Sequence, residues 1–328
     1  MKINYYIMVA LLLFTLVSSF TYAENNSLLL YTSQPDSDVQ GLIKAFNKKY
    51  PDLKVNVFRS GTEEVVSKVM AENQSGKIQA DLLLVADVVT FETLKNQKLL
   101  AAYKSPETKQ IDKQFIDPDN MYTGTKIIPS ILAVNTKNVK KIPDSWKVLI
   151  DPAAKNQIIV PSPLYSGAAA YNLGVFIREK SLGWGFYDKL NKNNVTIVQG
   201  NGAVMKAVAA GDKTYGMVVD YMIARAKQEG SPVELVYPKE GVTAVTEPIG
   251  IIKNTPNMAS AKKFIDFVLS IDGQQLAVSQ NYTPVRKDVN APAGLKNAKQ
   301  FKVLTKPVSE LLKTRDAEKK QFSDLFSI

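Results

Sequence analysis

The sequence predicts an α/β protein of two lobes with a cleft between them. Three observations carry this reading: strand-like and helix-like hydrophobic periods alternate along the chain, the alternation runs twice, and no flexible linker separates the two runs. With 328 residues, 45% of them hydrophobic, the chain can form two lobes of ordinary size with well-buried cores.

The elements follow in order. MKINYYIMVALLLFTLVSSFTYAE joins a lone Lys2, an apolar run and a small-residue exit at Thr21 and Ala23, the pattern of a secretory signal peptide (1–23) cleaved after Ala23. The apolar run is shorter than the roughly 20 residues of a membrane-spanning helix. There is no cysteine to carry a lipid or a disulfide. The expectation is a free, monomeric protein outside the inner membrane, held by its core alone.

SLLLYTS is a short apolar run fit for a buried strand, after which Val39, Leu42, Ile43 and Phe46 fall at helical spacing until Tyr50-Pro51 stops them. KVNVFR alternates as a strand does. SGTEEVVSKVMAE then opens a helix with Val65, Val66, Val69 and Met70 on one face, and ADLLLVAD is the next buried strand. Strand, helix, strand, helix, strand implies right-handed crossovers and parallel pairing.

The second run begins after TKIIPSILAVN. QIIVPS, NVTIVQG, KTYGMVVD and VELVYP read as strands, SGAAAYNLGVFIREK and NGAVMKAVAAGD as helices. EPIGIIKN is a late strand, followed by the amphipathic NMASAKKFIDFVLS with Ala261, Phe264, Ile265 and Val268 on one side. Extended segments near Thr125 to Asn135 and Thr246 to Lys253 are expected to run from one lobe to the other. They place residues 24–125 plus about 247–300 in one lobe, and 126–246 plus about 301–328 in the other.

Ligands of open parallel sheets bind beyond the carboxyl ends of the strands, so the strand-to-helix turns are the places to look. Four stand out: YTSQPDSD with Ser33, FRSGTEE with Ser60, Gly61 and Thr62, PSPLYSGAAAY with Ser166 and Gly167, and VQGNGAVMK with Asn201. Each sets hydroxyl, glycine or amide groups at a helix start, where unpaired N–H donors and partial positive charge favour an anion. Plainer readings exist: Ser60 and Glu63 form a capping-box pattern, Asn201 an N-cap, Ser33 a turn residue, and the alanines of YSGAAAY suit close helix packing.

Composition excludes several classes. With neither histidine nor cysteine, the commonest general base, thiol nucleophiles and most nitrogen or sulfur metal ligation are gone. GNGAVMK lacks the spacing of a phosphate loop or dinucleotide fingerprint. The net charge of +10, or +9 once Lys2 leaves, comes from scattered basic residues with no aromatic interleaving, so nucleic acid is not the partner. The expectation is no enzyme and no cofactor.

The ordered set LYTSQPDSD, FRSGTEEVVSKVMAE, ADLLLVAD, PSPLYSGAAAYN, GNGAVMKAVAAGDKTYGMVVDY, EPIGIIKN and NYTPVR resembles the periplasmic substrate-binding proteins of ABC importers. The resemblance is to the branch of ferric-ion, 2-aminoethylphosphonate and sugar-phosphate binders. It implies a type II-like clamshell, each lobe a mixed, mostly parallel sheet flanked by helices, which captures a small solute and hands it to ABC permease subunits in the inner membrane. Ferric binders of the branch carry adjacent tyrosines where this chain has Asp220-Tyr221. An iron reading therefore leaves Tyr221, Asp220 and Glu247 as oxygen ligands. The favoured guest is an organophosphonate or phosphate ester. Its anion would sit at Ser60, Gly61, Thr62, Ser166 and Gly167, Asp220 would pair with an ammonium, and Tyr221 would donate a hydrogen bond. Ser33, Asp87 and Asn201 complete the candidate set. Tyr31, Tyr165 and Trp184 are aromatic candidates for the wall. A secreted enzyme on the same scaffold is the rival of another class.

Overall fold

The structure, a computed structural model, describes residues 26–296 and 300–328. The expected signal peptide lies outside the described residues. The first run forms β1 (Ser27–Thr32), α1 (Asp36–Lys49), β2 (Lys54–Arg59), α2 (Thr62–Gln74), β3 (Leu82–Leu84), α3 (Val88–Asn96), β4 (Leu100–Ala101) and β5 (Thr123–Gly124). The chain then crosses on β6 (Lys126–Asn135) into β7 (Ile158–Pro161), α4 (Gly167–Phe176), α5 (Gly183–Lys192), β8 (Thr196–Val198), α6 (Asn201–Ala210), β9 (Tyr215–Val219), α7 (Asp220–Gln228), β10 (Val233–Val236) and β11 (Ala244–Val245). It returns on β12 (Pro248–Ile252), followed by α8 (Met258–Leu269), α9 (Ile271–Ser279), β13 (Thr283–Pro284) and α10 (Val308–Phe326).

Two sheets result, one ordered β2-β1-β3-β12-β4 with β5 beside β12, the other β10-β6-β9-β7-β8 with β11 and β13 beside β6. The three leading strands of each are parallel, β2-β1-β3 and β9-β7-β8, as the strand–helix alternation requires. The crossing strands β12 and β6 enter from the other lobe and pair antiparallel, which makes each sheet mixed. The crossings also hold each other: the Thr125 N–H donates to Thr246 O at 3.0 Å and the Thr125 hydroxyl to Glu247 O at 2.7 Å.

The first sheet is covered on both faces, which explains its uninterrupted apolar strands. Leu28, Leu30, Leu82 and Leu84 pack with Phe46 of α1 and Phe264 and Phe267 of α8. The alternate residues Tyr31 and Leu83 pack with Val65 and Val69 of α2 and Phe91 and Leu94 of α3. The second sheet buries Ile131 to Val134 and Ile158 to Val160 among α4, α5 and α6, with Trp146 against Phe176 at 5.3 Å. Tyr31 is 1% exposed and donates to Glu72, and Trp184 packs tilted against Tyr187; both belong to these cores and neither lines the cleft.

The C-terminal helix α10 packs against both lobes. Leu311 and Phe322 join the second core, Arg178 of the segment after α4 reaches Glu310 and Glu318, and Arg315 reaches across to Glu63 and Asp87. Among the described residues no helix is long and apolar enough to cross a membrane.

Candidate functional site

A cleft of about 270 Å³ lies between the lobes at the carboxyl ends of the parallel strands. Two larger cavities exist, about 510 Å³ at the opposite edge of the first sheet and about 630 Å³ between α2, α3 and α10. Neither meets a cluster of helix starts. The inter-lobe cleft does, because β2, β7 and β8 all hand over there to the starts of α2, α4 and α6.

Seven of the ten proposed binding residues line this cleft: Ser33, Gly61, Thr62, Ser166, Gly167, Asn201 and Tyr221. Ser166 caps α4, its Oγ accepting from the Ala169 N–H at 3.3 Å and from Asn201 Nδ2 at 3.1 Å. Asn201 is thus the first residue of α6 and braces Ser166, while the cap position itself is Gly200. The N–H groups of Gly167, Ala168, Asn201 and Gly202 find no acceptor among the described residues, as expected of the first turn of a helix. Four donors from two helices therefore open onto one space.

Three proposed residues point elsewhere. Ser60 donates to Glu64, and the capping box does not form: the cap of α2 is Gly61, and Glu63 is drawn to Arg315 at 2.7 Å and Lys319 at 2.8 Å. Asp87 caps α3 through the Thr90 N–H at 3.0 Å and accepts from Arg315 Nη1 at 3.0 Å, with no solvent exposure. Asp220 opens α7 and turns back to the Tyr221 N–H at 2.7 Å and the Tyr237 hydroxyl at 3.1 Å. Burial without a cation pushes its carboxyl up to about 7. Asp220 is therefore not placed to meet a solute ammonium.

The bare stretch at Gly167 has a structural cause. A Cβ there would stand 2.4 Å from Ala86 O and 2.9 Å from Thr62 Cγ2, so the first lobe needs that space. Gly61 obeys the same demand, since its Cβ would lie 2.6 Å from the Tyr165 ring. Tyr165 also lines the cleft, and its carbonyl accepts the Glu63 N–H at 3.3 Å. These glycines let the lobes touch at the mouth of the cleft.

Arg59 and Glu247 are the charged residues among those lining the cleft. Arg59 ends β2, is exposed, and is aimed by donation from Nε to Gln34 O at 2.9 Å, leaving its terminal nitrogens without a partner among the described residues. Glu247 is buried and its Oε2 accepts from Lys126 Nζ at 2.5 Å and Gln34 Nε2 at 3.0 Å. Gln34 thus couples the free cation to a neutralised carboxylate. Tyr221 packs tilted against Tyr282 with centroids 4.2 Å apart, and burial holds its phenol well above the usual range. Tyr282 donates to Asp38 at 2.6 Å, and Asp38 receives Arg225 through both oxygens at 3.0 Å.

Sequence reasoning missed Arg59 and Lys126. Arg59 could have been found as the last residue of an alternating strand just before an anion-type turn. Lys126 left no local signal, because its partner lies 121 positions away. Among the described residues no group of three or more Asp or Glu side chains could hold a metal ion, and of the proposed iron ligands only Tyr221 and Glu247 line the cleft.

The family of bacterial extracellular solute-binding proteins matches residues 78–306. A protein of Salmonella typhimurium, named provisionally as a 2-aminoethylphosphonate-binding periplasmic protein, is 27% identical over 74% of this chain and 72% of its own. Iron uptake protein A1 of Synechocystis is 23% identical over 89% and 84%. The structure of the periplasmic binding protein AfuA from Actinobacillus pleuropneumoniae, with fructose-6-phosphate bound, superposes with a TM-score of 0.85 at 25% identity, covering 92% of this chain and 99% of that one.

Proposed function

The chain belongs to the bacterial extracellular solute-binding proteins, and from that premise we propose that it is periplasmic and captures a small phosphorus-containing anion, a phosphonate or phosphate ester. Delivery is to the permease subunits of an ABC importer, with no chemical change to the solute. The observation that carries the choice of ligand is the convergence of the free donors of α4 and α6, the start of α2 and the unpaired Arg59 on one cleft. A tetrahedral oxyanion matches such a cradle, since several oxygens meet N–H dipoles and a guanidinium at once. A solute of this kind, about the size that 270 Å³ admits, leaves its organic part against Tyr221, Met222 and Glu247.

Ferric iron is the second reading, supported by two oxygen-bearing residues, Tyr221 and Glu247, in the same cleft and by the iron-uptake relative. The two readings separate in one experiment. The protein is stripped by unfolding and refolding, and its melting is followed with inorganic phosphate, 2-aminoethylphosphonate, sugar phosphates and ferric citrate. A specific ligand at 100 times its dissociation constant adds about 3 kcal/mol. Stabilisation by a phosphorus solute, recovered unchanged afterwards, is expected. Stabilisation by ferric citrate alone would overturn the ligand choice, and turnover of the solute would favour an enzyme.

A further inference from the structure

We propose that Lys126 is a specificity residue: by neutralising Glu247 inside the cleft it turns a site with metal-type oxygen donors into one that refuses cations. This rests on the phosphorus-anion reading above. The Glu247 and Lys126 side chains are 6% and 5% exposed, and their 2.5 Å pair stands where the two crossing segments run side by side. Glu247 Oε1 has no partner among the described residues, so the carboxylate retains one acceptor for a solute hydroxyl. A trivalent cation at that oxygen would stand within a few ångströms of a buried ammonium, and like charges repel strongly where water cannot screen them.

The rest of the site fits this role. Lys126 Nζ also lies 4.6 Å from the centre of the Tyr282 ring, which packs against the Tyr221 ring at 4.2 Å, so its charge sits on Glu247 and one ring away from Tyr221. Gln34 fixes the other side of Glu247 Oε2 and, through its carbonyl, the direction of Arg59. Of the two charged residues lining the cleft, Arg59 therefore keeps its charge and Glu247 has its own offset by Lys126. Without Lys126, the Glu247 carboxylate and the Tyr221 phenol, once it gives its proton up to the metal, would present two oxygens of the kind hard trivalent ions prefer.

The test compares the unsubstituted protein with Lys126→Met and Lys126→Gln. Gln supplies an uncharged donor to Glu247 and covers the case in which Met leaves the carboxylate orphaned and the fold weakened. Ferric citrate is titrated while the visible tyrosinate-to-iron absorption is read, and binding of a phosphorus solute is measured in parallel. The expected result is no absorption band in the unsubstituted protein and a stoichiometric band in at least one variant, abolished by adding Tyr221→Phe. If neither variant takes up iron while both still bind the phosphorus solute, the inference is wrong and the functional reading stands. If a variant gains iron but no form of the protein binds a phosphorus solute, the functional reading fails and the role of Lys126 survives. A band in the unsubstituted protein overturns the role of Lys126, and overturns the functional reading as well if no phosphorus solute binds.

Discussion

Replacing Arg315 with methionine tests how the C-terminal helix holds the lobes. Arg315 stands on α10, is 11% exposed, and gives 3.0 Å and 2.7 Å hydrogen bonds to Asp87 and Glu63 on the first lobe. Removing it leaves Asp87 with no solvent contact and only the Thr90 N–H. Glu63 keeps Lys319, so the orphaned Asp87 dominates the loss. Breaking one side of such a buried pair costs about 3–5 kcal/mol. Urea unfolding should show a midpoint lowered accordingly with an unchanged slope.

The pH dependence supplies a second check. Burial already raises the Asp87 carboxyl, with Arg315 pulling the other way, so the substitution raises it further. An acid whose folded-state pKa is raised contributes stability below its unfolded value and loses it as pH rises through the folded one. The deficit of Arg315→Met should therefore be larger at pH 8 than at pH 5, and Asp87→Asn in the same chain should remove that difference. A deficit under about 1 kcal/mol, or one that ignores pH, would refute the claim that this pair is a buried bond between lobes.

Other substitutions give separate readouts. Arg59→Gln, at an exposed position with no ion pair among the described residues, should weaken solute binding by about 1.5–3 kcal/mol, roughly 10- to 150-fold, and leave the melting temperature unmoved. Gly167→Val must displace the Ala86 carbonyl and should cost at least about tenfold in affinity by calorimetry, whereas Gly202→Ala, with open space around it, should cost far less. Asp220, pushed up to about 7 from 3.8, should make stability fall as pH rises through 7, by about 4 kcal/mol in all. Asp220→Asn should flatten that fall in unfolding curves taken from pH 4 to 8.

Hydrophobic period alone determined most of the architecture. Strands buried on both faces, such as the one containing Leu82, Leu83 and Leu84, must be apolar throughout, and helices lying on them must show one apolar stripe, so composition and spacing record both. The turns were legible for the same local reason: a helix start needs a cap, and Ser166 announces one. Residues whose partners are distant in sequence were not legible. Asp87 and Asp220 end strand-like runs and look alike as letters, yet one is claimed by an arginine 228 positions away and the other by a tyrosine 17 away. The glycine of YSGAAAY looked bare for a ligand, and only the approach of Ala86 from the other lobe showed what fills the space. Local propensity is written in neighbouring residues, whereas the neutralisation of Glu247 by Lys126 exists only once two crossing strands lie side by side.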